Sequence, residues 1–328
     1  MRALPAAFAE YRWAPSSEQI AADFGLARED VKRFDGNVPP VPGPASNGEA
    51  IADALSRVNE YAHGGFPALI AAIAEYAGVE PENVVLGAGA DDLILLAART
   101  FAGTGDEVAI DPEPTYTLFR IAAQLAGAEI GDANPVVTFT CRPNNPTGIQ
   151  GALPSARPLV VDEAYFEFAG ETAVDRLDEG VVVLRTFSKA FGIAGARVGY
   201  ALAATDVALE LNRRQAPMPI SGISAALALA GLDGGADVTA HVVERDRCAA
   251  VLAELGLESP PSRTNFLFVH VPEPEAVGAA LLRQGLVVRV FPDGVRFSVR
   301  DREDDDLLLA ALAAATSDEF RTAARSTH

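Results

Sequence analysis

Short apolar runs alternate with helical patterns along most of the chain. "NVVLG", "DEVAID", "PVVTFTC", "PLVVDEA", "VVVLRTFS" and "VGYALA" are strand-length and rich in Val, Ile and Leu, while "ADDLILLAARTFAG" and "TYTLFRIAAQLAG" repeat their apolar residues at helical spacing. Strands apolar on both faces and separated by helices predict an α/β fold, with a mostly parallel sheet covered on both sides. This region, 48–215, is expected to form the larger domain. A long Ala/Leu-rich helical stretch follows from about 222 to 255, then a strand "TNFLFVHV", a helix "PEAVGAALLRQG", paired strands "LVVRVF" and "GVRFSVR", and a closing helix "DDDLLLAALAAAT". That order predicts a smaller α+β domain over 216–328, with residues 1–47 supplying an arm and a segment packed near it. Glycine- and proline-rich "DGNVPPVPGPASNG" (35–48) reads as extended, and the tail from about 317 is expected to fray.

Composition narrows the function. With 328 residues and 49% hydrophobic content the chain can bury a sizeable core. It has no apolar run long enough to span a bilayer and no secretory leader pattern at its start, so a cytoplasmic location is expected. Two cysteines and four scattered histidines give neither a disulfide framework nor metal-ligand spacing, and no metal is expected. A net charge of −19 argues against nucleic acid or an anionic membrane as partner. An anionic small molecule must then be held by particular arginines and helix N-termini against the general field. Of 26 basic residues only Lys32 and Lys189 are lysines, and Lys189 stands just after an apolar strand among small residues and glycines.

Three strand ends carry the candidate chemistry. "LVVDEAYFEF" places Asp162 and Glu163 directly after a strand, with Tyr165 close behind; alone this reads as an acidic loop. "CRPNNPTG" after another strand reads, alone, as a tight turn. Lys189 ends a third. The carboxyl ends of parallel strands are where open α/β sheets bind ligands, so the three are read together.

"TFSKAFGIAGARVGYA", "PNNPTG", "DEAYFEF", "PEPTYTLF" and "LGAGADDLI" together resemble the pyridoxal-phosphate (PLP) aminotransferases of fold type I, most of all histidinol-phosphate aminotransferases and their relatives. The resemblance runs from about Asn37 to Arg296 and implies a large three-layer α/β/α domain with a smaller α+β one. It implies Lys189 as the residue that bonds the cofactor aldehyde and then serves as general base. The residue chemistry agrees, because that task needs an amine able to lose its proton, which a guanidinium does not do. It implies Asp162 as the carboxylate that keeps the ring nitrogen protonated, Tyr165 and Asn145 as partners of the phenolic oxygen, and Tyr116 as the ring's aromatic neighbour. For the phosphate it implies Thr186, Ser188 and Arg197, with Ala90 and Asp91 opening a helix after Gly87 and Gly89. Asp91 is expected to contribute its backbone, and Asp92 stands where a dinucleotide fingerprint would need a third glycine.

The same resemblance implies that Tyr61 reaches the cofactor phosphate of a neighbouring subunit, hence a homodimer. It implies Arg296 as the clamp on a substrate carboxylate, Asn37 in the arm beside it, and Arg289 at the distal group of a phosphorylated substrate; on an alternating strand Arg289 also reads as a solvated side chain. Histidinol phosphate with 2-oxoglutarate is the expected pair, with an aromatic amino acid next, a decarboxylase resembling the threonine-phosphate enzymes as runner-up, and a PLP-binding module without catalysis as a third reading. The chain departs from the family in four places: the segments 128–136 and 148–162 are shorter, "RFSVRD" stands where a glycine is usual, and "DGNVPPVPGP" replaces the acidic arm motif. These bear on the substrate and leave the cofactor residues intact.

Overall fold

Strands form where β-branched runs end at glycine, proline or polar turns. The computed structural model describes residue 8 and residues 14–40 and 48–317; the rest of the amino-terminal segment, 41–47 of the glycine- and proline-rich stretch, and the tail beyond 317 lie outside the described residues. In chain order the strands are β1 (Lys32–Arg33), β2 (Val84–Gly87), β3 (Glu107–Ile110), β4 (Glu129–Ile130), β5 (Val137–Cys141) and β6 (Leu159–Asp162). There follow β7 (Val181–Thr186), β8 (Gly199–Leu202), β9 (Phe266–His270), β10 (Leu286–Val287), β11 (Arg289–Phe291) and β12 (Gly294–Ser298). No helix among the described residues is long and apolar enough to cross a membrane.

Seven strands form one sheet in the order β2-β8-β7-β6-β5-β3-β4. All run parallel except β8, which lies antiparallel between β2 and β7. Successive side chains leave opposite faces, and both faces are buried. Val160, Val182, Leu184 and Phe139 face one layer with the helices Ala90–Phe101 and Leu118–Ala126. Leu159, Val161, Val181 and Val183 face the other, with the helices Pro67–Ala77 and Gly222–Gly234. Each fully buried side chain of this size contributes about 1.5–3 kcal/mol, so the strands are held mainly by what covers them.

The chain divides into two compact units; of the described residues the first takes 8, 48–145 and 150–237, and the second takes 14–40, 146–149 and 238–317. The helical stretch expected from 222 to 255 is two helices, Gly222–Gly234 and Thr239–Glu254, because Gly235 adopts φ +71, which ends the first. The first of them packs Ala225 and Ala228 into the core with Leu69 and Ile73, so the first unit runs to 237 and not to 215. In the second unit β11-β12-β9 form an antiparallel sheet over a core of Phe34, Leu267, Val269, Val295, Phe297 and Leu308. "LVVRVF", expected as one strand, splits: β10 pairs in parallel with β1 of the arm, and only β11 pairs with β12.

The shortened segments are visible as missing regular structure. Between β5 and β6 no helix forms among residues 148–158, and Arg142 holds that stretch by donating from Nε to the Gly151 carbonyl at 2.8 Å. Across 128–136 only the two-residue edge strand β4 remains, and Glu107 accepts the N–H groups of Ala133 and Asn134.

One glycine sets how closely the layers approach. A Cβ at Gly199 would stand 2.7 Å from the Arg185 carbonyl oxygen, 3.0 Å from the carbonyl carbon of Gly89 and 3.1 Å from the Ala90 nitrogen, all backbone atoms that cannot swing aside. Gly199→Ala is expected to lower the unfolding free energy by about 1–3 kcal/mol in urea denaturation. A midpoint equal to wild type would show that the helix start is not pressed against β8.

Candidate active site

The parallel register brings the strand ends to one level. Asp162, last in β6, pairs with Cys141 of β5 on one side and Leu184 of β7 on the other. Its side chain is buried; Oδ1 accepts the Ala164 N–H at 3.0 Å, and the Cys141 Sγ lies 4.0 Å from Oδ2 while donating to the Pro143 carbonyl at 3.2 Å. Burial pushes the Asp162 carboxyl up to about 7; Asp91 and Glu163 push the same way, and the Ala164 N–H and Lys189 oppose them. Burial also pushes the Cys141 thiol up, so Cys141 is a neutral neighbour.

Around this carboxylate stand four sequence-predicted residues. Lys189 lies in the turn after β7 with its Nζ 5.8 Å from the centre of the buried Tyr165 ring. Tyr116 donates its hydroxyl to Asp91 Oδ1 at 2.9 Å and meets Phe119 edge-on, and burial, then Asp91, holds its hydroxyl protonated far above the usual range. Asn145 is half-buried in the turn after β5. Its neighbour Asn144 fixes that turn: it donates to the Pro114 carbonyl at 3.1 Å and accepts the Thr115 hydroxyl at 2.6 Å, tying the Asn145 turn to the Tyr116 loop.

Gly199 pairs with Gly87 of β2 and Thr186 of β7, so these three mark the rim of a cup. The helix Ala90–Phe101 starts there, its first N–H groups without intrahelical partners and its dipole positive at that end. Gly89 holds φ +87, and a Cβ on it would stand 2.9 Å from Arg197 Nη2, so the bare backbone is what lets the guanidinium reach the cup. The hydroxyls of Thr186 and Ser188, both buried, are 2.9 Å apart. Arg197 itself takes φ +48, a left-handed conformation costly for a non-glycine residue, and sets Nη2 3.2 Å from Asp91 Oδ2. The Asp91 side chain therefore joins Tyr116 and Arg197, and Asp92 Oδ2 accepts the Ala88 N–H at 3.1 Å.

Pyridoxal phosphate fits these residues. A bare-backbone cradle at a helix N-terminus with two hydroxyls and a guanidinium suits a phosphate. A buried carboxylate whose charge is disfavoured suits a cationic ring nitrogen, and an amine stands beside them. No metal cluster is needed for that chemistry.

Sequence reading missed the brace behind the cup. Glu163 Oε2 accepts from Arg185 Nη2 at 3.0 Å and Nε at 3.1 Å, both side chains buried, with Thr172 bonded to both and the guanidinium 3.6 Å over the Phe166 ring. The signal was present: an arginine inside "VVVLRTFS" needs a buried acid partner.

The remaining predicted residues lie elsewhere. Arg296, Arg289 and Asn37 belong to the second unit. Arg296 is buried, donates to the Asp35 carbonyl at 2.9 Å, and lies over the rings of Phe266 and Phe291. Arg289 is exposed and is directly opposite Arg296 in the ladder. Asn37 is buried at φ +52, its N–H donated to Ser298 Oγ at 2.8 Å. Tyr61 is 74% exposed, on the rim of a hollow of about 780 Å³ lined also by Asp53, Arg57, Phe66 and Leu229; among the described residues it takes no part in the cup's hydrogen bonds.

Cup, carboxylate and amine at the carboxyl edge of a parallel sheet define an α/β enzyme built for a phosphorylated aldehyde cofactor. The profile of the family described as aminotransferase class I and II matches residues 30–135 and 130–312, and the chain belongs to that family, whose cofactor is pyridoxal phosphate. A histidinol-phosphate aminotransferase of Gloeobacter violaceus is 39% identical over 81% of this chain and 85% of its own. An aromatic amino acid aminotransferase of Rhodococcus opacus is 34% identical over 84% and 87%. The crystal structure of histidinol-phosphate aminotransferase from Sinorhizobium meliloti with pyridoxal-5'-phosphate superposes with a TM-score of 0.81 at 25% identity, over 93% of this chain and 95% of that one.

The raised Asp162 pKa has a pH signature. The folded state keeps this proton to about pH 7 while the unfolded chain releases it near 3.8, so the folded state binds more protons between those values and stability falls as pH rises through them. Cofactor-free protein is expected to lose stability across this window, and Asp162→Asn to lose less. Part of the slope remains, because burial also lifts the carboxyls of Glu167 and Asp305 to about 7 and raises that of Glu163. Denaturant midpoints at about pH 5 and about pH 8 check this; an unchanged difference in Asp162→Asn refutes it.

Proposed function

We propose that the chain exchanges an amino group between L-histidinol phosphate and 2-oxoglutarate. The observation that carries the substrate class is the Arg289–Arg296 pair: as cross-strand partners in an antiparallel ladder they leave the same face of the sheet, so that face offers two guanidinium-bearing side chains to an anionic ligand. Both proposed substrates are anionic. Arg296 takes the carboxylate of the 2-oxo acid and its amino-acid product, and Arg289 the phosphate of the donor, with Asn37 beside them. The resemblance to histidinol-phosphate aminotransferases over most of the chain supports the same choice.

Bound in the cup, pyridoxal phosphate supplies an aldehyde for the amino group and a ring that accepts the electron pair left when the α-proton departs. Lys189 would hold the aldehyde through its Nζ, and the same amine, once freed, would serve as the base for the substrate α-proton. Asp162 would hold the proton on the ring nitrogen, as an ionised carboxylate beside that cation. Tyr165 and Asn145 orient the phenolic oxygen. Tyr116 would flank the ring. Thr186, Ser188, Arg197 and the amides of Ala90 and Asp91 bind the phosphate, and Asp91 keeps Tyr116 and Arg197 aligned.

The working form is a homodimer. Leu55, Val58 and Tyr61 are 57%, 67% and 74% exposed within seven residues of chain, of which Tyr61 lines the hollow, and a second copy covers such a surface most simply. Tyr61 then serves the partner's cofactor. Both cysteines are buried and unpaired, which suits the cytoplasm. An aromatic amino donor is the second reading, favoured by the likeness to the Rhodococcus opacus enzyme.

A half-reaction screen decides among donors. Histidinol phosphate without a 2-oxo acid is expected to convert the cofactor's visible absorbance to that of its amine form, and Arg289→Ala to raise the donor concentration needed by about tenfold or more. Conversion by aromatic donors alone would replace the proposed substrate, and carbon dioxide release would replace the reaction. Lys189→Ala is expected to lose the absorbance of the lysine-bound cofactor and at least about a hundredfold in turnover; normal turnover would sink the mechanism.

A further inference from the structure

Outside the cup, Arg300, Asp304 and Asp305 form a cluster against the arm. Arg300, in the stretch "RFSVRD" that departs from the family pattern, donates from Nη1 to the Arg33 carbonyl at 3.1 Å and lies 5.5 Å over the centre of the buried Phe34 ring. Its Nε donates to Asp304 Oδ2 at 2.8 Å, and the other Asp304 oxygen faces Lys32 Nζ at 3.3 Å. Arg300 and Asp304 side chains are only 16% and 9% exposed, so this pair is less screened than a surface one. Burial would lift the Asp304 carboxyl, and the bonds from Arg300 and Lys32 outweigh it and hold it below its usual value. The backbone of Arg300 is pinned as well, its N–H shared between both oxygens of buried Asp305 at 3.1 Å.

The segment so held is the one that carries the substrate candidates. Phe34 donates its N–H to Val287 O, and its carbonyl accepts the Ser298 N–H at 2.7 Å and hydroxyl at 2.8 Å. Asp35 offers its carbonyl to Arg296, and Asn37 is kept in its left-handed conformation by Ser298 and by Asn265, whose Nδ2 donates to the Asn37 carbonyl at 3.0 Å. A left-handed Asn persists only where its surroundings over-determine it. Release of the arm at Arg33–Phe34 therefore frees the carbonyl that orients Arg296 and the turn that presents Asn37.

We infer that Arg300 is a positioning residue for substrate binding, a clamp that holds the arm across Arg33 and Phe34 so that Asn37 and Arg296 keep their places. The inference rests on the assignment of Arg296 and Asn37 to the substrate given above. It also gives the second lysine of the chain a task, since Lys32 fixes the carboxylate that aims the clamp.

Arg300→Ala in the cofactor-loaded protein is expected to raise KM for both amino donor and 2-oxo acid by about tenfold, the worth of one charge-assisted contact, with kcat changed by less than about twofold and the cofactor absorbance unchanged. Without substrate, the amides of Phe34 and Asn37 are expected to exchange with deuterium about tenfold faster than in wild type. Arg300→Lys keeps a charge for Asp304 and loses the fork that also reaches Arg33, so raised KM and faster exchange should persist there. Wild-type behaviour in Arg300→Lys would assign the effect to charge alone and overturn the clamp. Exchange at the wild-type rate in Arg300→Ala overturns it whatever the kinetics. Faster exchange with an unmoved KM also overturns it, and Arg296→Ala measured alongside separates the causes: an unmoved KM there places the fault in the substrate assignment, a raised one in Arg300.

Discussion

The burial of the Asp162 carboxylate constrains everything around it. Taking a carboxylate out of water costs several kcal/mol unless a cation or several donors meet it, and here the Ala164 N–H donates to it and Lys189 acts on it through space. The neighbours are consistent with that burden. Cys141, directly across the ladder, stays neutral, and the next residue along, Glu163, turns to the opposite face to meet Arg185, so the two acids do not share a site. Alternation along an extended strand makes this separation automatic. A carboxylate kept poised in this way has most of its interaction free energy left for a cation that arrives.

The cup depends on close approach as much as on charge. Gly199 and Gly89 let the start of the helix Ala90–Phe101 and the head of Arg197 come within contact distance of the sheet edge, where side chains would hold them off. Arg197 takes a left-handed backbone to get there, and Asp91 anchors both its head and the Tyr116 hydroxyl. The strain and the paired charges are local, while the rigidity that supports them comes from the two apolar layers on the sheet.

Much of this was legible in the chain. Alternating buried strands and helices predicted the mostly parallel sheet because both faces must be apolar for helices to cover them. Lys189, Asp162 and Tyr165 stood out because each follows a strand end, and strand ends share one edge in a parallel sheet, whereas Tyr116 was implied by the family resemblance and the glycines at 87 and 89 by the turn that opens a helix. The break at Gly235 was hidden because an Ala/Leu-rich pattern is compatible with one helix or two, and the left-handed turn that separates them is a backbone choice. The Glu163–Arg185 brace needed the register of β6 against β7, which spacing along one strand does not contain.

Arm residues show the same limit from the other side. Phe34, Ser298, Arg300 and Asp304 are far apart along the chain, and only the fold places them on one another. Local order put the candidate residues at the carboxyl ends of strands, and the family resemblance implied their roles, because periodicity, strand-end chemistry and motif order are properties of neighbours in sequence. The tertiary structure decided which carboxylate is buried, which arginine is clamped and which turn is held left-handed. Burial, like-charge separation and backbone strain are set by atoms that meet only after the chain has closed on itself.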